Sequence, residues 1–144
     1  MVTPRQRELV QSSFALVARI GDDAAVIFYD KLFKLDPSLR RMFKPDMSKQ
    51  RTKLLQMLAA AVKGLDRLEQ LVPVVQDLGR RHAGYGVTER HYATVGAALL
   101  WTLKAGLGNA FTKEIGEAWI SVYVLLASTM QQAAREAGAE SVGF

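Results

Sequence analysis

Apolar residues recur at spacings of three and four along almost the whole chain, a pattern typical of helices that bury one face. Strand signals are few, and glycine or proline interrupts the helical pattern at intervals. The pattern predicts six longer helices and one short helix. Their approximate ranges are 4–20, 22–35, 37–43 (the short one), 48–63, 72–83, 88–107 and 112–136. The predicted fold class is therefore all-α, with one core and short connections.

Two of these helices have identifiable start signals. Thr3 can cap the first helix, with Pro4 in its first turn and Gln6 completing a capping box. Ser48 can cap the fourth helix in the same way.

The chain's length of 144 residues matches one domain, and its apolar content is enough for one core. Within that domain we expect a helical core over 1–136 and a frayed tail over 137–144. No apolar run approaches the roughly 18 residues needed to span a membrane. The first residues also lack the apolar centre of a signal peptide. We therefore expect a cytoplasmic protein with no membrane partner.

The absence of cysteine excludes disulfides, iron–sulfur clusters, thiolate metal sites and covalent haem attachment. Histidine occurs only as His82 and His91, so a zinc site built on several histidines is excluded as well. Any metal must be held by nitrogen or oxygen.

The formal net charge is +5, but lysine and arginine are mixed with acidic residues along most of the chain. The tightest basic group is Lys49, Arg51 and Lys53. We interpret most of these charges as a solvated surface and expect no nucleic-acid partner. The alternative is that some of them meet an anionic ligand at the rim of a pocket.

His82 lies near the end of an amphipathic helix, just before the glycine-rich segment that starts at Gly84. One interpretation is a core or surface histidine with both nitrogens satisfied. The other is an axial ligand to iron, because one imidazole is enough when a porphyrin supplies the remaining ligands. A ligating histidine needs its second nitrogen oriented, and the carbonyl of Leu78, one turn earlier, is the expected acceptor.

Tyr29 and Gln50 each share a helix face with apolar residues. A buried hydroxyl or amide is costly unless it is hydrogen-bonded. Each can pair with a nearby backbone group or meet water at a helix edge. Alternatively, both point into a ligand cavity and donate to an oxygen that acquires negative charge on binding.

Three further residues have structural and functional interpretations side by side. Phe43 can be core packing or a flat wedge against a planar cofactor. Leu54 can be core or the wall of a pocket. Tyr92 can be a core tyrosine or can hold the segment that bears His82. We find no competing catalytic motif: the chain has no G-x-S-x-G, P-loop, dinucleotide-binding or H-E-x-x-H pattern.

Together these residues resemble the bacterial globins of the flavohaemoglobin class, in the same order and spacing over nearly the whole chain. The segments that carry the resemblance are VIFYDKLF (26–33), RMF (41–43), QRTKL (50–54), LGRRHAGYGV (78–87), HY (91–92) and EAW (117–119). The resemblance implies a globin fold around a haem pocket that holds a non-covalent haem b and its iron. It implies that dioxygen, nitric oxide or carbon monoxide is the ligand.

The resemblance also implies a role for each candidate position. His82 matches the proximal histidine that ligates the iron. Tyr29 and Gln50 match the distal pair that hydrogen-bonds bound dioxygen. The remaining matches are residues that contact the cofactor, namely Phe43, Lys53, Leu54, Leu78 and Tyr92.

The sequence departs from that class in two ways. The family places a glutamate on the last helix against the proximal histidine, and counting from Trp119 this register falls on Ala134. We therefore expect a less imidazolate-like ligand. The chain also ends at Phe144 with no flavin and nicotinamide domain, so sustained nitric oxide dioxygenation is expected to need a separate reductase.

Several functions remain open at this stage. A gas-binding carrier and a nitric oxide dioxygenase supplied by an external reductase both fit Tyr29 and Gln50. A haem-free interaction module that keeps the fold as a sensor is a third hypothesis. A fourth, nucleic-acid binding, rests on net charge alone. Both a monomer and a homodimer are compatible with the sequence.

Overall fold

The computed structural model describes residues 2–141, and none of these residues lies in a strand. Two short 3₁₀ helices span Pro37–Met42 and Gly108–Ala110. The six α-helices are α1 (Pro4–Ile20), α2 (Asp22–Leu35), α3 (Ser48–Gly64), α4 (Leu68–Gly84), α5 (Glu89–Leu107) and α6 (Lys113–Ser141). The predicted all-α class is confirmed.

Some helix boundaries differ from the prediction. α4 begins at Leu68 rather than near residue 72, because burial of Leu71 stabilises a helical turn ahead of Pro73. α6 continues to Ser141, so residues 137–141 are helical where a frayed tail was predicted. The rest of that predicted tail, 142–144, lies outside the described residues.

The two predicted caps have different outcomes. Thr3 does cap α1: its hydroxyl accepts from the Gln6 amide at 3.1 Å, and the Gln6 side chain accepts from the Thr3 amide at 3.0 Å. The prediction for Ser48 is wrong. Ser48 is the first residue of α3, and Asp46 accepts from both its amide (3.0 Å) and its hydroxyl (2.8 Å). The N-cap position is Met47, which offers no side-chain cap, and Asp46 satisfies the amide of the first helical residue from outside the helix.

The core lies where α1, α5 and α6 meet, and its most completely buried large side chains are Val10, Leu103 and Val122. Trp119 on α6 is buried there too, and its indole donates to the Ser13 hydroxyl at 2.9 Å. α4 packs on α6, α2 packs on α5, and α3 packs on α1 and α2. The core thus supports α3 and α4 from opposite sides, which determines where the candidate site lies.

Within the part of the chain that the structure describes, no helix is long and apolar enough to cross a membrane.

Candidate functional site

The helices α4 and α5 are consecutive in the chain but do not pack together, and we interpret the space next to them, bordered by incompletely buried apolar side chains, as a crevice. The Cα atoms of α4 and α5 stay more than 8 Å apart over their described residues, although only the segment 85–88 joins the two helices. α3 and α4 meet near their joined ends, where Gly64 lies against Leu71. α3 has a single buried residue, Val62, in 17. Its remaining apolar side chains, which the helical period directs inward, therefore border open space.

On the α2 and α3 side, two polar side chains meet in apolar surroundings. The Gln50 amide donates to the Tyr29 hydroxyl at 3.1 Å. Tyr29 is only 6% exposed, and the rings of Phe28 and Phe43 contact it edge-on at centroid distances of 5.0 and 5.6 Å. Because the phenol oxygen accepts from Gln50, its own O–H group remains available to donate to another acceptor.

The protonation state of Tyr29 follows from the same surroundings. Burial raises the pKa of the Tyr29 hydroxyl, and the hydrogen bond from Gln50 opposes this only in part. The phenol is therefore neutral at physiological pH and can act as a hydrogen-bond donor.

On the α4 side, His82 is oriented by its own helix. Its Nδ1 lies 2.8 Å from the Leu78 carbonyl oxygen, so Nδ1 carries the proton and donates it. Burial lowers the pKa of His82, with a further contribution from Arg81, while the bond to Leu78 opposes the shift. The imidazole is therefore neutral, and the Nε2 lone pair has no protein partner among the described residues. The predicted acceptor for the second nitrogen is confirmed.

The second histidine is used differently. His91 Nδ1 accepts from the backbone amide of Thr88 at 3.0 Å, which stabilises the start of α5. His91 is therefore committed to a structural hydrogen bond, which leaves His82 as the available imidazole.

The other candidate residues lie at partly exposed positions along the edge of the core. The apolar side chains of Phe43, Leu54, Leu78 and Tyr92 are all half-buried and pack on the edge of the core. Lys53 is exposed and precedes Leu54 on α3, so it lies at the rim.

Sequence reasoning did not identify Arg40, which organises the turn at residues 43–46 (the corner between the first 3₁₀ helix and α3). The Arg40 guanidinium donates to the carbonyl oxygens of Lys44 and Pro45, both at 3.0 Å, and so closes the turn that presents Phe43. No spacing rule predicts an arginine that satisfies carbonyl groups four and five residues later. The nearest signal is that Pro45 breaks the helix and leaves those carbonyl groups without intrahelical partners.

A second, separate cavity lies behind Tyr92, between the end of α4 and α6. It measures about 220 Å³, and Ala83 and Ala134 line it together with Tyr92. The Tyr123 hydroxyl fixes this part of α5 by donating to the Tyr92 carbonyl oxygen at 2.6 Å. Ala134 thus shares a cavity with Tyr92, and it brings no carboxylate there.

A small apolar cavity of about 20 Å³ lies on the α3 side, where Leu54 and Leu58 meet Phe28 and Leu103. This volume is enough for one molecule of water size, and its lining offers no hydrogen bond to water. It suits a small apolar gas.

These residues fit a haem with a single axial nitrogen ligand. The crevice borders are apolar and incompletely buried, as expected for surfaces that a flat apolar group would cover. The neutral imidazole of His82 offers an unshared lone pair, and the buried phenol of Tyr29 offers an O–H group that can donate a hydrogen bond. Nitrogen ligation of iron needs the neutral ring that His82 has.

Comparisons with known proteins agree with this fold. The family model described as Globin matches residues 26–130, which is well over half of the chain. The chain therefore belongs to the globin family.

Its relatives by sequence include flavohaemoglobins and neuroglobins. The flavohemoprotein of Bacillus subtilis is 32% identical over 130 residues, covering 88% of this chain and 33% of that protein. The chain thus spans about a third of that relative. The neuroglobin of Chaenocephalus aceratus is 29% identical over 145 residues and 91% of each chain.

Solved structures with the same fold include bacterial globins. A globin from Campylobacter jejuni has a TM-score of 0.83 at 24% identity, covering 95% of this chain and 99% of that one. An engineered carbene transferase, named for a nitric oxide dioxygenase of Rhodothermus marinus, has a TM-score of 0.87 at 24% identity and covers 99% of both chains. At this identity the likeness establishes the fold.

Proposed function

We propose that this globin holds a non-covalent haem b through His82 and reversibly binds a diatomic gas, with dioxygen as the principal ligand. The observation that carries the proposal is the Tyr29–Gln50 pair, 3.1 Å apart in aromatic surroundings. The bond between them satisfies the phenol oxygen, but the phenol O–H has no acceptor among the described residues, and a bound ligand would supply one.

When bound, the haem supplies a ferrous iron that takes dioxygen, nitric oxide or carbon monoxide as its ligand. His82 holds the group in place through Nε2, while Leu78 fixes the ring orientation through Nδ1. Phe43, Leu54, Leu78 and Tyr92 cover the faces of the ring system and keep water out.

The Tyr29 O–H donates a hydrogen bond to the gas ligand, and Gln50 fixes the direction of that phenol by donating to its oxygen. A hydrogen bond to a group that carries charge contributes about 1.5–3 kcal/mol. This corresponds to roughly ten- to a hundredfold in affinity for a ligand that gains negative charge. Dioxygen gains more charge on binding than carbon monoxide, so the pair favours dioxygen.

A second candidate function is nitric oxide dioxygenation. Its support is that a flavohemoprotein is among the sequence relatives and that one structural neighbour is named for a nitric oxide dioxygenase. This function needs an electron donor at every turnover, and we propose a separate reductase for that role.

The test is the visible spectrum of the purified protein reconstituted with hemin, in the ferric, ferrous and carbon monoxide-bound forms. We expect a sharp Soret band that shifts on reduction and again on gas binding. A colourless protein that leaves the hemin spectrum unchanged would instead favour a haem-free interaction module. Consumption of nitric oxide over many turnovers with a reductase separates the enzyme from the carrier, since a carrier stops after one equivalent.

A further inference from the structure

The positive charge of this protein is concentrated in one segment. Residues 37–53 contain six lysines and arginines and a single aspartate, a net charge of +5. The formal net charge of the whole chain is also +5, so the remaining residues balance to zero. This segment comprises the first 3₁₀ helix, the corner that follows it and the first turns of α3.

Two of the six cations have internal partners. Arg40 is bonded to carbonyl oxygens of the corner, and Arg51 forms an ion pair with Asp22 at 2.9 Å. The aspartate of the segment, Asp46, accepts from Ser48.

The other four cations are exposed and have no ion-pair partner among the described residues. They are Arg41, Lys44, Lys49 and Lys53. We name these four the basic rim.

The basic rim lies beside the candidate site rather than elsewhere on the surface. Lys44 follows Phe43, and Lys49 precedes Gln50. Lys53 precedes Leu54, and Arg41 lies in the same corner. A partner that reaches this edge of the candidate site therefore meets exposed positive charge.

We propose that the basic rim is the docking surface for an acidic electron-donor protein, which gives up one electron to the ferric haem and is itself oxidised by one electron. This rests on the proposed function. The charge supports it, because unpaired cations at the edge of a site accelerate encounter with an acidic partner, by roughly 10- to 1000-fold in steered associations. The two propionates of a bound haem offset part of the charge. With Lys53 as their expected contact, Arg41, Lys44 and Lys49 remain for the partner.

The size of the basic rim favours a protein over a small anion. Lys49 and Lys53 are one helical turn apart, about 6 Å along the axis, and the corner adds two more cations beyond them. Such a spread matches several carboxylates on a facing surface.

The experiment follows reduction of the ferric holoprotein by stopped flow, with flavodoxin hydroquinone as an acidic donor and carbon monoxide present to trap the reduced form. The rate constant is measured from about 10 mM to about 0.5 M salt, a range over which surface charges become screened. The test variant is the triple substitution Arg41→Gln, Lys44→Gln and Lys49→Gln. The matched control removes three exposed lysines outside the segment, as Lys63→Gln, Lys104→Gln and Lys113→Gln.

We expect the wild-type rate constant to fall steeply with salt. At low salt the test variant should be slower by about tenfold, and the control should stay within about threefold of wild type. Direct titration with oxidised flavodoxin should show that the test variant binds more weakly than the wild type and the control variant. A rate constant that does not change with salt concentration would overturn the proposal. An equal decrease in the rate constant of both triple variants would do so as well.

Two controls separate this proposal from other readings. Each variant, reduced with dithionite, must show the wild-type Soret band and carbon monoxide affinity; a chain that takes up no haem overturns the proposed function and this inference together. A labelled DNA duplex, or vesicles containing phosphatidylglycerol, is then offered at physiological salt. Binding that the test variant alone loses would assign the basic rim to a polyanion and overturn the protein partner.

Discussion

Gly79 on α4 lies directly against the main chain of Met130 on α6. A Cβ placed on Gly79 would lie 2.3 Å from the Met130 carbonyl oxygen and 2.5 Å from its Cα. Only glycine allows this approach, and His82 follows three residues later on the same helix. The position of the candidate iron ligand therefore depends on a contact between two backbones.

Gly79→Ala is expected to push α4 away from α6. Overpacking of this kind costs about 1–3 kcal/mol, and we expect the upper part of that range because backbone atoms cannot rotate aside. Urea unfolding of the haem-free protein measures the loss, and hemin transfer to an acceptor globin measures the displaced His82. Gly84→Ala is the matched control, since nothing lies within 4 Å of a Cβ there. Equal stability of the two variants would contradict the close approach.

Tyr29→Phe removes the phenol proton and keeps the ring that packs on Phe28 and Phe43. We expect dioxygen to leave about tenfold faster or more, because a hydrogen bond to a charged group is lost. Displacement of dioxygen by carbon monoxide in a stopped-flow instrument gives the release rate. Tyr123→Phe is the control: it loses the bond to Tyr92 and should change stability but not release. An unchanged rate in Tyr29→Phe would show that this phenol does not reach the ligand.

Substitution should distinguish the roles of His82 and His91. His82→Ala removes the neutral imidazole and is expected to abolish the sharp Soret band, whereas His91→Ala should keep it. His91→Ala removes the acceptor for the Thr88 amide and should cost about 0.5–2 kcal/mol of stability, as loss of a helix cap does. Spectra and urea unfolding of both variants check this. Loss of the Soret band in His91→Ala would show that His82 is not the only histidine needed to hold the haem and would contradict the assignment.

Ala134→Glu would introduce a carboxylate into the cavity of about 220 Å³ behind Tyr92. We expect the new carboxylate to accept from the Tyr92 hydroxyl and to make His82, the ligand we propose for the iron, more imidazolate-like. The iron–histidine stretching frequency in resonance Raman spectra of the ferrous protein should then rise. Ala134→Gln has the same size without the charge and should leave the frequency close to that of wild type; an equal rise in both variants would refute an effect of charge.

The haem-free protein should lose stability in mild acid. Burial lowers the pKa of His82 below its usual value, so the unfolded chain binds a proton there more readily than the folded one. The free energy of unfolding therefore falls as the pH drops below about 6.5 and on through the lowered pKa. Urea unfolding across this range checks the slope. His82→Leu should flatten it, and a slope unchanged by that substitution would place its origin elsewhere.

Local features of this site could be predicted, and pairings between helices could not. The bond from His82 to Leu78 spans one helical turn, so periodicity alone predicted it correctly. Tyr29 and Gln50 were each placed on an inner face, but their mutual bond joins residues 21 apart. The prediction that Ser48 caps α3 is wrong because the helix begins at Ser48 itself, and residue type alone does not place a boundary to within one residue.

By itself the sequence determined the helices, the apolar faces and the short list of possible iron ligands, because these depend on spacing and residue type within a few turns. Tertiary structure alone decided that the Gln50 amide meets the Tyr29 hydroxyl. It also decided that Gly79 must be small. Each of these outcomes depends on which distant segment lies alongside, and that is set by packing of the whole core rather than by any local pattern.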